Sequence, residues 1–142
     1  MAEDDPDDRL LAAEAFAESR LHNGFLTVEN GLELLQYLRH EGIYGDVRKY
    51  PRPGLILLDL NMPKMDGRQA LKEIRSDPML RTIPVVVMTT SKAQEDIVRS
   101  YELGVNSFIT KPVSFEGMVT VLKDLGRYWF EIVELPEPPP GA

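Results

Sequence analysis

The chain has 142 residues, 43% of them apolar, and a formal net charge of -7. That length suits one domain with a full core, and the acidic balance, with Arg48, Lys49 and Arg52 isolated in one loop, argues against a nucleic-acid-binding surface. The absence of cysteine excludes disulfides and thiolate metal sites and agrees with a cytoplasmic location. No apolar run reaches membrane-spanning length, and Met1-Ala2-Glu3-Asp4-Asp5 has neither the basic nor the apolar region of a signal peptide.

In chain order, an acidic run comes first, with Asp5 and Pro6 placed to cap and open a helix that continues through Leu10, Leu11, Ala15 and Phe16 to about Arg20. Asp7 and Asp8 favour the positive end of its dipole. A turn at His22-Asn23-Gly24 leads to a short predicted strand over residues 25–28. Asn30 and Glu33 form a capping-box pattern for the next helix, whose apolar side carries Leu32, Leu34, Leu35 and Leu38. Residues 41–54, with Gly42, Gly45, Pro51 and Pro53, read as a surface insertion. His22 and His40 have no ligand partner at helical spacing and read as solvated surface residues.

Leu55, Ile56, Leu57 and Leu58 then run unbroken into Asp59. Such a run fits a strand buried on both faces, as in a parallel sheet, and Pro63 stops it. Asp66-Gly67 opens a helix to about Ser76, with Ala70, Leu71 and Ile74 inward, and Asp77-Pro78 closes it. Residues 85–88 are a second buried strand, ending in Thr89-Thr90-Ser91. Ser91 and Gln94 form a cap box for a helix carrying Ile97, Val98, Tyr101 and Leu103, which Gly104 stops. Residues 107–110 form a third strand before Lys111-Pro112. Ser114 caps a last helix with Phe115, Met118, Val119, Leu122 and Leu125 on one face, and the position of Trp129 extends it past Gly126. Residues 134–142 are a proline-rich tail.

This alternation predicts an α/β domain: a doubly wound parallel sheet with helices on both faces. Asp59, Thr89 and Lys111 each end a separate strand, at the edge where such sheets bind ligands. Glu3 and Asp4 lie where a preceding strand would end. Three carboxylates brought together repel unless a cation joins them. A donor set of oxygens with room for water points to Mg2+ rather than zinc. Lys111 offers a point charge and Thr89 a hydroxyl for phosphoryl oxygens. Taken singly, Thr89 reads equally well as a strand-end cap and Lys111 as a solvated lysine. Together the set suits phosphoryl transfer with Asp59 as nucleophile.

These residues also carry a family likeness. Glu3-Asp4, LLDLNMP around Asp59, Asp66-Gly67, VVMTT ending at Thr89-Thr90, and FITKP over residues 108–112 resemble the receiver domain of two-component response regulators, over residues 1–126. Within that family the chain looks most like single-domain regulators paired with bacterial phytochrome histidine kinases. EDDPDDR, the Ser76-Asp77-Pro78 segment, PVVVMTTS, the loop at 41–54 and Tyr128-Trp129 carry this closer match. The resemblance implies a flavodoxin-like, five-stranded sheet of order 2-1-3-4-5, with residues 127–142 as a C-terminal extension. It implies that Asp59 accepts a phosphoryl group from a sensor histidine kinase, and that Glu3, Asp4, Asp59 and the Asn61 backbone carbonyl hold Mg2+. Thr89 and Lys111 would bind phosphoryl oxygens, Lys111 through a cis bond to Pro112. Phe108 would be the aromatic switch that rotates inward with Thr89. Asn61 and Ser91 would tune dephosphorylation. The protein would be a phosphoacceptor rather than an enzyme, with slow self-dephosphorylation at most.

Three departures qualify the likeness. The first strand, which should lie in mid-sheet, is largely missing from this chain. Either a segment belonging before Met1 is not in the sequence, or a tail segment such as residues 130–135 fills the gap; otherwise Glu3 and Asp4 are poorly anchored. Phe108 lacks the hydroxyl of the commoner tyrosine. No DNA-binding output domain follows, so output is expected through protein contacts, with no membrane partner. Tyr128, Trp129, Phe130, Ile132, Val133 and Leu135 either pack back on the domain or support a homodimer. Two rival functions are weaker. A haloacid-dehalogenase-type phosphatase needs a second acid where Asn61 stands. A phosphorylation-independent pseudo-receiver would not need Asp59, Thr89 and Lys111 intact.

Overall fold

The computed structural model describes residues 1–19, 24–90 and 94–132. The expected turn at His22, the Ser91 cap and the tail residues Val133 and Leu135 lie outside them. Three strands, β1 (Ile56–Leu58), β2 (Val85–Thr89) and β3 (Ser107–Thr110), form a parallel sheet in that order. All five residues of β2 are buried, as its unbroken apolar run requires. Five α-helices surround the sheet: α1 (Pro6–Glu18), α2 (Gly31–Leu38), α3 (Gly67–Ser76), α4 (Gln94–Glu102) and α5 (Phe115–Gly126). Asp5, Asn30, Asp66 and Ser114 each cap a helix with a side-chain oxygen, at the positions the sequence indicates. The return bond of the Asn30–Glu33 box lands one residue early, from the Glu29 N–H to Glu33 Oε1 at 3.1 Å. Beyond α5 the chain continues as a π-helical turn, Arg127–Ile132.

The alternation of side chains along the strands divides the core in two. Ile56, Leu58, Val85 and Val87 pack with Leu34, Leu38, Leu71 and Ile74 of α2 and α3. Leu57, Val86 and Met88 pack with Ala15 of α1 and Met118 and Leu122 of α5. Leu32 departs from the expected apolar side of its helix and is exposed. Val98 and Tyr101 of α4 are also exposed.

The five-stranded expectation meets a reduced left half. Among the described residues, the predicted strand over residues 25–28 contributes an isolated bridge. Ala2 bridges in parallel to Val28 on one side and to Leu58 on the other. The order is therefore Val28, Ala2, β1, β2, β3, which matches 2-1-3-4-5. Ala2 N–H donates to Leu57 O at 2.8 Å, Glu3 N–H to Val28 O at 3.0 Å, and Asp59 N–H to Ala2 O at 3.1 Å. These bonds hold the segment that carries Glu3 from both sides. The Met1 ammonium donates to Leu26 O at 2.8 Å, and burial lowers its pKa to about 5.

The loop at 41–54 is a packed unit. Tyr37, Tyr44 and Tyr50 meet edge to face, with ring centroids 4.9 to 5.9 Å apart. Tyr37 OH donates to Pro51 O at 2.8 Å, and Arg52 Nε to Leu38 O at 3.0 Å. His40 is half-buried with Nε2 2.9 Å from Tyr50 O, so it ties the loop down instead of facing solvent freely.

Candidate functional site

Three chain segments bring charge to the carboxyl edge of the sheet. The Ala2 bridge delivers Glu3, the end of β1 delivers Asp59, and the end of β3 delivers Lys111. Glu3, Asp59 and the Lys111 side chain are all buried. Lys111 Nζ donates to Glu3 Oε1, to Asp8 Oδ2 at 3.0 Å and to Asp59 Oδ2 at 3.3 Å. Burial pushes the Glu3 carboxyl up to about 7, partly offset by its bond from Lys111 and reinforced by the Asp59 charge. Burial alone would lower the Lys111 ammonium, but its bonds to Glu3 and Asp8 and the charges of Asp59 and Glu3 outweigh that and raise it.

One cation thus serves three carboxylates, which leaves surplus negative charge in a poorly hydrated place. Carboxylate oxygens of Glu3, Asp4 and Asp59 all lie within 4.8 Å of one another. Asp4 is exposed and would give such a centre access to water. The donor set, all oxygen and over-charged, fits a hard divalent cation. Asn61 is exposed, and its N–H donates to Asp59 Oδ1 at 3.2 Å, which fixes one rotamer of that carboxylate.

Thr89 is fully buried at the end of β2, and its Oγ1 finds no partner among the described residues. Such a hydroxyl is costly unless a ligand oxygen uses it. Lys111 is tied to the same strand end by its own N–H, which donates to Thr89 O at 2.8 Å. Phe108 is half-buried against the α2–α3 side of the core. The peptide bond from Lys111 to Pro112 is trans, a correction to the cis form the likeness implied. X–Pro isomers differ by only about 1 kcal/mol, so residue type alone leaves the choice to context.

Two residues of the site escaped the sequence reading. Asp8 reads there only as a dipole-favouring acid, yet α1 carries it within reach of Lys111. Arg9 Nη1 donates to the backbone oxygens of Glu3 and Asp4, each at 2.9 Å, and clasps the acidic turn from one helical turn away. Its place in EDDPDDR was the available signal. Gly67 is fixed by proximity: a Cβ there would stand 2.3 Å from Asp59 O. The Gly67 N–H instead donates to Leu60 O at 2.9 Å, closing the loop beneath Asp59.

Residues 1–123 match the response regulator receiver domain family. The chain belongs to that family. The receiver is 39% identical to response regulator Rcp1 of Synechocystis sp. over 136 residues, 96% of this chain and 90% of Rcp1. It superposes on the phosphorylated cyanobacterial phytochrome response regulator RcpA with a TM-score of 0.86 at 44% identity, covering 96% of this chain and 95% of that one. The Mn2+-bound form of Rcp1 aligns with a TM-score of 0.83 at 39% identity, covering 96% of each chain. These likenesses establish the flavodoxin-like receiver fold. Among the described residues, no helix is long and apolar enough to cross a membrane.

Proposed function

We propose that this receiver accepts a phosphoryl group from the phosphohistidine of a sensor histidine kinase onto Asp59, and that the kinase is of the bacteriophytochrome type. The observation that carries this reading is the joint placement of Asp59, Glu3, Lys111 and the unpartnered Thr89 hydroxyl at one sheet edge. A carboxylate oxygen of Asp59 forms the new P–O bond as the P–N bond to the kinase imidazole breaks, and the imidazole nitrogen keeps the electron pair. Lys111 sits where it can neutralise one phosphoryl oxygen, and Thr89 Oγ1 can donate to another. Mg2+, held by Glu3, Asp4, Asp59 and the Asn61 carbonyl, would supply charge neutralisation for the remaining oxygens. Relatives named as phosphorylated, phytochrome-linked and Mn2+-bound support these assignments.

The phosphoryl group adds nearly two negative charges beside Lys111. That redistributes the bonds Lys111 now shares among three carboxylates and draws Thr89 inward, with Phe108 following. The change is read out by protein contacts in the cytoplasm, and turnover is limited to slow self-dephosphorylation. Intact mass after incubation with Mg2+ and acetyl phosphate should rise by one phosphoryl group, and Asp59→Asn should show no rise. No gain in the native chain would instead identify a phosphorylation-independent binding module.

The output surface of this reading lies on α4, the loop before α5 and the turn after it, where Val98, Tyr101, Val113 and Tyr128 are exposed. A homodimer through this face is expected. Sedimentation of a chain ended at Arg127 should show a monomer where the native chain sediments as a dimer; the same number of chains per particle in both would rule the arrangement out.

A further inference from the structure

Two arginines of α3 hold the two ends of α4. Arg68 and Arg75 stand seven residues apart, two helical turns, and therefore share a face of their helix. Their grips differ. Beyond the end of α4, Arg75 Nε donates to Gly104 O at 2.8 Å and Nη2 to Asn106 Oδ1 at 3.2 Å. Its Nη1 donates to Arg81 O at 3.0 Å and to Ile83 O at 2.8 Å. Asn106 is itself fixed to β2: its N–H donates to Val85 O at 2.8 Å, and its Oδ1 accepts from the Val85 N–H at 2.9 Å. Gly104 completes the joint, with φ at +97° and room for no Cβ, which would stand 3.1 Å from Arg75 Nε.

At the start of α4 the grip is an ion pair. Arg68 Nη2 donates to Asp96 Oδ1 at 3.0 Å, and the two side chains are 27% and 29% exposed. Water reaches both partners, so this bond opens at far lower cost than four bonds to fixed oxygens. Its position matters more than its strength. Arg68 follows Gly67, whose N–H is bonded to Leu60 O beneath Asp59. Asp96 follows Thr89 by seven residues. The pair therefore joins the acceptor loop to the helix that Thr89 leads into. Between the two grips the seat of α4 is imperfect. Ser100 is buried with an Oγ that finds no partner among the described residues, while Val98 and Tyr101 are exposed. An unmade bond of this kind disfavours the present position of the helix.

We propose that α4 pivots about its Arg75-held end, and that the Arg68–Asp96 pair is the clasp that keeps its other end at rest. Arg68 is then a positioning residue, acting on Asp59 phosphorylation through Asp96 and the segment leading back to Thr89. The inference rests on the acceptor reading, in which Thr89 is drawn toward the new phosphoryl group. That movement pulls the start of α4 and opens the clasp. A closed clasp opposes the pull and lowers the fraction of chains ready to take the group. Val98 and Tyr101 then swing about a fixed end, so the output face turns instead of sliding.

The test is a cycle of Arg68→Gln, Asp96→Asn and the chain carrying both. Initial phosphoryl uptake from acetyl phosphate with Mg2+, read by intact mass, should be about threefold faster in each single variant. The double variant should be no faster than the singles, because one clasp opens only once. A merely structural pair would lower Tm without speeding uptake. Unchanged or slower uptake in the singles, or gains that multiply in the double, would overturn the proposal. Hydrogen exchange in the unphosphorylated chains reads the two ends separately. Arg68→Gln should speed exchange at the Val98 and Arg99 amides and leave Leu103 and Gly104 as they are. Equal acceleration at both ends refutes the pivot, and none at either end refutes the clasp. If the native chain takes up no phosphoryl group, the acceptor reading fails, and exchange still decides whether the clasp exists.

Discussion

The two edges of the sheet are built on opposite terms. At the carboxyl edge, side chains compete for each other: three carboxylates share one lysine, and a hydroxyl waits without a partner. At the amino edge, apolar walls enclose space that no described residue fills. The contrast teaches how little of a strand a site needs. Met1, Ala2 and Glu3 are bonded on both sides, so Glu3 is placed as firmly as a longer strand would place it.

The largest effect should come from breaking the charged edge. Lys111→Met leaves Glu3 and Asp59 buried with no cation, at a cost of about 3–5 kcal/mol in chemical denaturation at pH 8 without divalent ions. The loss should shrink toward pH 6. Glu3 has a folded pKa of about 7 against its ordinary 4.5, so the folded state holds a proton that the unfolded chain has lost between those values. Its stabilising contribution is therefore complete below 4.5 and gone as pH climbs past 7. Opposite slopes with pH would contradict the charge arrangement.

A pair of leucines sharpens the comparison along one strand. Leu58 is fully buried, and Leu58→Ala should cost about 3–4 kcal/mol in urea unfolding. Leu55 already borders open space, so Leu55→Ala should cost only about 1 kcal/mol and leave phosphoryl uptake intact. Equal costs would mean that the amino edge is as tightly filled as the centre. The smallest effect belongs to Thr89→Val. Removing a buried, unpartnered hydroxyl while keeping its shape should shift Tm by under about 3 °C, in either direction. The phosphorylated form should nevertheless become shorter-lived, followed by mass over time.

Much of this was legible in the chain. The run ending in Asp59 and the strand over 107–110 announce themselves by composition. The four caps do so by residue type. What stayed hidden depended on long-range placement. The pairing of Ala2 cannot be read from one residue, because a bridge exists only when two distant neighbours arrive on either side. The residues at 25–28 have strand composition, yet among the described residues they pair through a single bridge, Val28 to Ala2. Asp8 and Arg9 look like ordinary helix-start charges until α1 is docked. The isomer before Pro112 was likewise a matter of context, since proline makes both forms nearly equal in energy.

The aromatic residues make the two core halves separately observable. Trp129, the one tryptophan of the chain, packs against the α1–α5 half with Tyr128 edge-on at 5.4 Å. Three of the five tyrosines gather on the other half, around residues 37, 44 and 50. Tryptophan emission and tyrosine absorbance therefore watch different layers of one molecule. If the two curves coincide on heating, the thin first strand still couples the layers into one cooperative unit.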